Sequence, residues 1–197
     1  MTVIAVKKLI NASIKIKTQL LDDDLLISQI VDVASRCAES LEIGGKIIFC
    51  GNGGSFADAQ HLSAEFTSRF QFDRPGLASI ALGANSSAMT AIGNDYGYEN
   101  VFSREIEAIA NATDIIIAIT TSGNSSNILK ALEAAKKKEV FTVVLTGSGR
   151  GKLADDAITL NIPSKDTARI QESHILIGHI ICELVESDIF KDYAPLS

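Results

Sequence analysis

The sequence predicts an α/β domain in which helices cover both faces of a five-stranded parallel sheet, a doubly wound arrangement with an N-terminal helical extension. Short apolar runs alternate with stretches of helical spacing from about residue 46 onward. The short runs are mainly apolar, which is typical of parallel strands buried on both faces. With 197 residues, of which 46% are hydrophobic, the chain suits one domain with a substantial core, and we assign residues 1–197 to it.

The N-terminal extension is predicted to be two helices. Residues 1–20 form the first, and three aspartates at 22–24 supply the cap and first-turn charge of the second. Two glycines at 44 and 45 end that helix. Its apolar residues repeat at helical spacing: Leu26, Ile30, Val33, Cys37 and Leu41.

The remaining elements alternate in order. The predicted strands are 46–50, 78–82, 114–120, 141–146 and 157–162. The predicted helices are one after the first strand, then 86–92, 98–111, 125–138, a short one near 151–156, and 168–189. Ligands of such sheets bind at the carboxyl ends of the strands, so the loops that follow strands are the candidate site.

Composition narrows the function classes. A net charge of −6 argues against nucleic acid or an anionic membrane as the main partner, although a pocket can still be locally positive. The three cysteines fall in apolar stretches, which indicates buried, reduced thiols and a cytosolic protein. Lysines interrupt the N-terminal apolar residues, so we predict no signal peptide, and no run is long enough to span a membrane.

The first candidate loop follows the strand at 46–50 and reads "GNGGS", from Gly51 to Ser55. Its glycines permit close approach of a ligand to the backbone, and the helix that follows offers free N–H groups to an anion. A dinucleotide fingerprint would need a third glycine at position 56, where Phe56 stands, so NAD is disfavoured. A tight turn without a ligand remains open for this loop.

The second candidate loop, "TTSGNSS" from Thr120 to Ser126, carries five hydroxyls and opens a helix. Helix capping needs one hydroxyl, so five favour a phosphomonoester site. The chain contains no nucleotide P-loop, since its nearest match, "TGSGRGKL", departs from the pattern at Thr146 and Leu153.

A possible acid–base or metal site lies on the helix after the first loop. His61 and Glu65 are four residues apart and therefore share a helix face. Such a pair can bind a divalent metal or act as an acid–base unit. A histidine bonded to backbone and a solvated glutamate are the alternatives if each is taken singly.

The last helix supplies further polar side chains. His174 and His179 are five apart and cannot share a face well. Gln171 and His179 are offset by about 80° and about 12 Å along a regular helix. One metal could bind both only if the side chains lean together; otherwise a neighbouring subunit supplies one of them.

The combined motifs resemble the sugar isomerase (SIS) domain family, in particular bacterial phosphoheptose isomerases. They span about residues 20 to 190 and comprise "CGNGGS", "QHLSAEF", "SRF", "RPG", "AIGNDYGYENVFSR", "TTSGNS" and "ARIQESHILIGHI". The resemblance implies a flavodoxin-like fold and a homotetramer with sites at subunit boundaries, in which residues 1–43 contribute to packing. It also implies a cytoplasmic ketose–aldose isomerase that converts sedoheptulose 7-phosphate to D-glycero-D-manno-heptose 7-phosphate, the first step toward ADP- or GDP-heptose and the lipopolysaccharide core.

The resemblance assigns site residues by position. One zinc ion per subunit would be held by His61, Glu65, Gln171 and His179, and Glu65 and His179 match the acid–base pair. The matching substrate contacts are Asn52, Gly53, Gly54, Ser55, Glu65, Asn94, Asp95, Thr120, Thr121, Ser122, Ser125 and Gln171. As a hypothesis, Glu65 is the base at carbon and His179 the acid at oxygen, and zinc acts as a Lewis acid on the carbonyl.

Two positions depart from the family pattern. Thr120 stands where serine is common, which keeps the hydroxyl, and Ala168 stands where some relatives have aspartate. Two other functions stay open: a non-catalytic SIS adaptor that binds a replication initiator, and an isomerase of another sugar phosphate. Adaptor relatives lack the glutamate and terminal histidine that this chain has at Glu65 and His179, which favours the enzyme.

Overall fold

The computed structural model describes residues 1–153 and 157–191. Five parallel strands form one sheet in the order β2-β1-β3-β4-β5. The strands are β1 (Ile47–Gly51), β2 (Ser79–Ala81), β3 (Ile115–Ile119), β4 (Phe141–Thr146) and β5 (Ile158–Asn161). This arrangement confirms the predicted doubly wound α/β fold.

The helices also follow the predicted order. They are α1 (Val3–Leu21), α2 (Asp24–Glu42), α3 (Gly54–Thr67), α4 (Ser86–Tyr96), α5 (Val101–Ile109), α6 (Ser126–Lys137) and α7 (Thr167–Ile189). The predicted helix 98–111 divides into a 3-10 turn, Tyr98–Asn100, followed by α5. Gly97, at φ 86°, separates α4 from that turn, because this backbone conformation cannot continue a helix. Of the short helix predicted near 151–156, residues 154–156 lie outside the described residues, and Gly151 and Lys152 form a turn.

Both faces of the sheet are buried, as the apolar strand runs predicted. Every residue of β1 and β3 is buried, and alternate side chains point to opposite faces. One core lies under α2, α3 and α7 and includes Phe49, Ile117 and Ile177. The other lies under α5 and α6 and includes Ile48 and Ile116. Because β1 and β3 are packed on both faces, the loops at their carboxyl ends begin from fixed positions.

The two N-terminal helices differ in how they are packed. In α2, the Asp23 carboxylate caps the helix by accepting from Leu26 N at 3.0 Å, as the aspartate cluster predicted. In α1, by contrast, only Leu20 is buried, and many large apolar side chains are exposed. Within residues 1–153 and 157–191, no helix is both long and apolar enough to cross a membrane.

Candidate active site

The two candidate loops meet at one edge of the sheet. The first follows β1 and the second follows β3, and these strands pair directly, with Gly51 opposite Ile119. The chain leaves β1 for β2 on one side and returns to β3 on the other, so this edge is the topological switch point. Open parallel sheets bind ligands at that point.

The first loop presents backbone N–H groups at the start of α3. Gly53 takes φ 58°, a left-handed conformation that favours glycine, and no side chain caps the helix. A Cβ at Gly54 would lie 2.6 Å from Gln171 Nε2, so the glutamine of α7 rests directly on this turn. Ser55 is buried beneath the loop. The uncapped N-terminus and the amide beside it suit an oxygen-rich ligand.

Several hydroxyls of the second loop keep hydrogen-bonding capacity for a ligand. Thr120 is buried, and its Oγ1 accepts from Gly123 N at 3.3 Å. Ser125 occupies the N-cap position of α6 but makes no side-chain capping hydrogen bond. Ser125 therefore does not cap the helix, although capping was the alternative explanation for these hydroxyls. Thr121 and Ser122 lie between them. Thr121 is half-buried, and Ser122 is exposed, with its Oγ accepting from Asn124 N at 3.2 Å.

Gly123 shapes that loop. Its φ is +66°, and a Cβ there would lie 2.4 Å from the backbone oxygen of Arg150. The Gly123 carbonyl accepts from Lys152 N at 3.1 Å, so the segment after β4 supports the loop from below. Only glycine satisfies both the conformation and the close backbone approach.

Three of the predicted ligand residues meet in one chain. His61 Nε2 lies 3.0 Å from Glu65 Oε1 and 3.1 Å from His179 Nε2. Ligand atoms of the three residues all lie within 4.8 Å of one another. The ring of His179 also packs on Phe70, with centroids 5.5 Å apart. Partial burial lowers the pKa of His179, and neighbouring His61 lowers it further, while Glu65 opposes both effects. These causes favour a neutral imidazole, the form that binds metals.

The spacing of the three residues fits a divalent metal. Two ligand atoms about 2.1 Å from a tetrahedral zinc ion are about 3.4 Å apart. The observed separations of 3.0 and 3.1 Å are close to that value, and two imidazoles with a carboxylate form a suitable donor set. The structure therefore supports a possible metal site at His61, Glu65 and His179.

Gln171 lies near a different part of α3. Its side chain lies against Gly54 at the start of α3, whereas His61 and Glu65 lie about two and three turns further along that helix. The four-residue ligand set that includes Gln171 stays a prediction.

Asn94 and Asp95 lie at the end of α4. Both are exposed, and Asn94 Nδ2 donates to Asp95 Oδ1 at 2.8 Å. Within the described ranges, no hydrogen bond or ion pair joins them to the three-residue cluster.

A buried ion pair that the sequence did not predict connects the two helices that carry the cluster. Arg74 and Glu186 are each 1% exposed at the side chain and lie 2.8 Å apart. Arg74 also donates to the carbonyl oxygens of Glu65 and Phe66, at 2.8 and 2.7 Å. The pair thus ties the end of α3, which carries Glu65, to α7, which carries His179. One signal was present in the sequence, since Glu186 continues the buried positions of Gly178 and Cys182 at intervals of four.

Comparison with known proteins agrees with this fold. The SIS domain family matches residues 11–147. The chain is 53% identical over 188 residues to a phosphoheptose isomerase of Aneurinibacillus thermoaerophilus, covering 95% of both chains. It is 52% identical over 181 residues to phosphoheptose isomerase 2 of Campylobacter jejuni, covering 90% of this chain and 89% of that one.

Solved structures give the same result. A phosphoheptose isomerase from Neisseria gonorrhoeae superposes with a TM-score of 0.85 at 41% identity, covering 93% of this chain and 97% of that one. One from Francisella tularensis superposes with a TM-score of 0.88 at 37% identity, covering 95% and 100%. The fold and these matches define an α/β protein of the SIS class. The chain belongs to the SIS-domain family and, within it, to the phosphoheptose isomerases.

Proposed function

We propose that the protein isomerises sedoheptulose 7-phosphate to D-glycero-D-manno-heptose 7-phosphate, the first step toward ADP- or GDP-heptose. The observation that carries this proposal is the meeting of His61 and Glu65, on the helix that begins at one anion loop, with His179 of α7. A second loop, rich in hydroxyls, follows the neighbouring strand. An aldose–ketose isomerase needs a base and an acid at one end of its substrate and a phosphate site at the other.

Glu65 and His179 are the acid–base pair of this proposal. The Glu65 carboxylate takes a proton from C1 of the ketose and returns it to C2, through an enediol. His179 exchanges protons with the two oxygens on those carbons, which a neutral imidazole can do as donor or acceptor. The proximity of both residues to His61 supports a shared reaction centre.

The hydroxyl loop is the proposed phosphate site. Its hydroxyls and the free N–H groups at the start of α6 can surround a phosphomonoester. The first loop, Asn52 to Ser55, and Gln171 are proposed to contact the sugar between the two ends. Binding energy from the remote phosphate then positions C1 and C2. Asn94 and Asp95 are proposed substrate contacts on the strength of the family resemblance.

Zinc is the proposed metal, held by His61, Glu65 and His179 together with Gln171. When bound, it would supply Lewis acidity to the substrate carbonyl. The position of Gln171 against Gly54 supports a site completed by a second subunit.

We further propose a cytoplasmic homotetramer. The exposed apolar side chains of α1, among them Ile4, Leu9 and Ile14, support an interface formed by residues 1–43. Cys37, Cys50 and Cys182 are free and buried, which supports a reducing compartment.

The experiment that tests the proposal is incubation of the purified protein with sedoheptulose 7-phosphate, followed by detection of the aldose phosphate. We expect conversion by the wild type, its loss on chelation and its recovery with added zinc. Glu65→Gln and His179→Gln each remove one acid–base group while keeping the side-chain size. We expect each to lose at least about 100-fold in kcat, the lower range for a positioned proton-transfer group.

The exposed Glu183→Gln on α7 is the matched control and should keep wild-type turnover. Near-wild-type turnover by either site variant would refute the role assigned to that residue. Turnover of pentose or hexose phosphates in preference to the heptose phosphate would refute the proposed substrate.

A further inference from the structure

Hydrogen bonds between two asparagine side chains, the partly buried Asn52 and the buried Asn127, connect the two anion loops. Asn52 Nδ2 donates to Asn127 Oδ1 at 2.9 Å, and Asn127 Nδ2 donates to Asn52 Oδ1 at 2.8 Å. Asn127 is 2% exposed. A reciprocal amide pair of this kind fixes both the distance and the relative orientation of its two side chains.

A third residue completes the arrangement. Tyr98, in the 3-10 turn before α5, donates from its hydroxyl to Asn52 Oδ1 at 3.2 Å. That oxygen has two acceptor positions, and the bonds from Asn127 and Tyr98 fill both. The Asn52 side chain therefore keeps one N–H for a ligand, and most of its hydrogen-bonding capacity is spent within the protein.

The position of the pair in the chain gives it a role. Asn52 is the second residue of the first loop, whose helix carries His61 and Glu65. Asn127 is the second residue of α6, immediately after the hydroxyl loop. The two loops follow neighbouring strands, and the amide pair bridges them on the ligand side of the sheet.

We propose that Asn127 is a positioning residue which, through Asn52, sets the spacing between the phosphate loop and the first loop, which contacts the sugar. This inference rests on the proposed isomerase function. A phosphate held by the hydroxyl loop fixes one end of the sugar phosphate, and the amide pair determines where the first loop holds the sugar relative to that phosphate. Misplacement of a reacting group by about 1 Å can reduce the rate by about 100-fold.

The spacing function predicts a specific kinetic pattern. Asn127→Ala removes the bridge but leaves the hydroxyls and N–H groups of the phosphate loop. Ground-state binding through the phosphate should persist, while the fraction of correctly placed complexes falls. We expect kcat to fall by about 10- to 100-fold, with KM changed by less than about threefold.

The experiment measures kcat and KM for sedoheptulose 7-phosphate and the inhibition constant of inorganic phosphate, which needs only the phosphate loop. It uses wild type, Asn127→Ala and Tyr98→Phe, with Asn161→Ala as control. Asn161 is an exposed asparagine of β5 whose amide bonds only locally, to Thr159 O. Tyr98 is 55% exposed, so Tyr98→Phe tests the same bridge without a change in the core. We expect it to reduce kcat by about three- to tenfold, since the reciprocal pair remains.

The outcomes separate the two proposals. An inactive wild type refutes the proposed function, and this inference falls with it. An active wild type with Asn127→Ala and Tyr98→Phe both within twofold of its kcat overturns the positioning role alone. A parallel rise in KM and in the phosphate inhibition constant also overturns it, because that pattern indicates a damaged phosphate loop. If Asn127→Ala does not fold, the Tyr98→Phe result decides.

Discussion

Replacement of Glu186 by glutamine should strongly destabilise the protein. The Glu186 carboxylate accepts from Phe70 N at 2.9 Å, from Gln71 N at 2.7 Å and from Arg74 Nε at 2.8 Å. The glutamine keeps the shape and one carbonyl oxygen, but it leaves the Arg74 guanidinium buried without a counter-charge and turns an NH₂ group toward a donor.

The magnitude follows from this burial. Removal of one partner of a buried ion pair costs about 3–5 kcal/mol. Because glutamine can still accept some of the hydrogen bonds, we expect about 3 kcal/mol. For a domain of this size, 1 kcal/mol shifts the melting temperature by about 2–4 °C, so the expected decrease is about 6–12 °C.

Thermal unfolding followed by circular dichroism, at a fixed protein concentration, measures this difference. Glu183→Gln is the control, since Glu183 lies on the same helix but is exposed, and its effect should stay within about 0.5 kcal/mol. Arg74→Met combined with Glu186→Gln should cost less than the sum of the single changes, because the two side chains interact directly. A Glu186→Gln variant within 1 kcal/mol of wild type would refute the reasoning.

Three further changes test other parts of the structure. Ser125→Ala should weaken inhibition by inorganic phosphate while leaving stability within about 0.5 kcal/mol, since this serine does not cap its helix. A stability loss of about 1 kcal/mol, which is typical of a lost helix cap, would contradict this prediction. Gly123→Ala should lower the melting temperature and abolish phosphate inhibition, because φ +66° and the Arg150 oxygen both exclude a Cβ, and an unchanged inhibition constant would count against it. His174 is fully buried, and burial lowers its pKa from 6.5 to about 4, although a hydrogen bond with the Thr146 backbone opposes the shift. Between pH 6.5 and 4, the unfolded chain therefore binds a proton at this residue that the folded protein does not. Stability should therefore fall as pH decreases from 6.5 to 4, by about 3 kcal/mol more than in His174→Phe, and equal losses in urea unfolding of the two proteins would exclude this role.

The sequence predicted the sheet because its central strands are apolar and its longer helices show clear apolar spacing. It also predicted that His61 and Glu65 share a face, since helical geometry places residues four apart together. Which chain brings His179 to them depends on the crossing of α3 and α7, a tertiary property that residue spacing does not contain. The structure supplies that crossing and brings His179 to within 3.1 Å of His61 in the same chain.

Other features could not be read from local pattern. Arg74 is a charged residue in a loop, a position that is usually solvated, and its burial depends on Glu186, 112 residues away. Asn52 and Asn127 are 75 residues apart, and their pairing arises only when β1 and β3 become neighbours. Long-range polar pairs of this kind leave no periodic signal in the sequence. The break between α4 and the 3-10 turn did leave a signal, because a glycine at position 97 is typical of such breaks.

The central claim is that Glu65, beside His61 and His179, performs proton transfer on a phosphorylated ketose. The most direct measurement is ¹H and ³¹P NMR of sedoheptulose 7-phosphate incubated with zinc-loaded wild type and with Glu65→Gln. The account predicts signals of the aldose phosphate with the wild type and at least a 100-fold slower appearance with the variant. Equal rates in the two samples would contradict it, as would a zinc-loaded wild type that leaves the ketose unchanged.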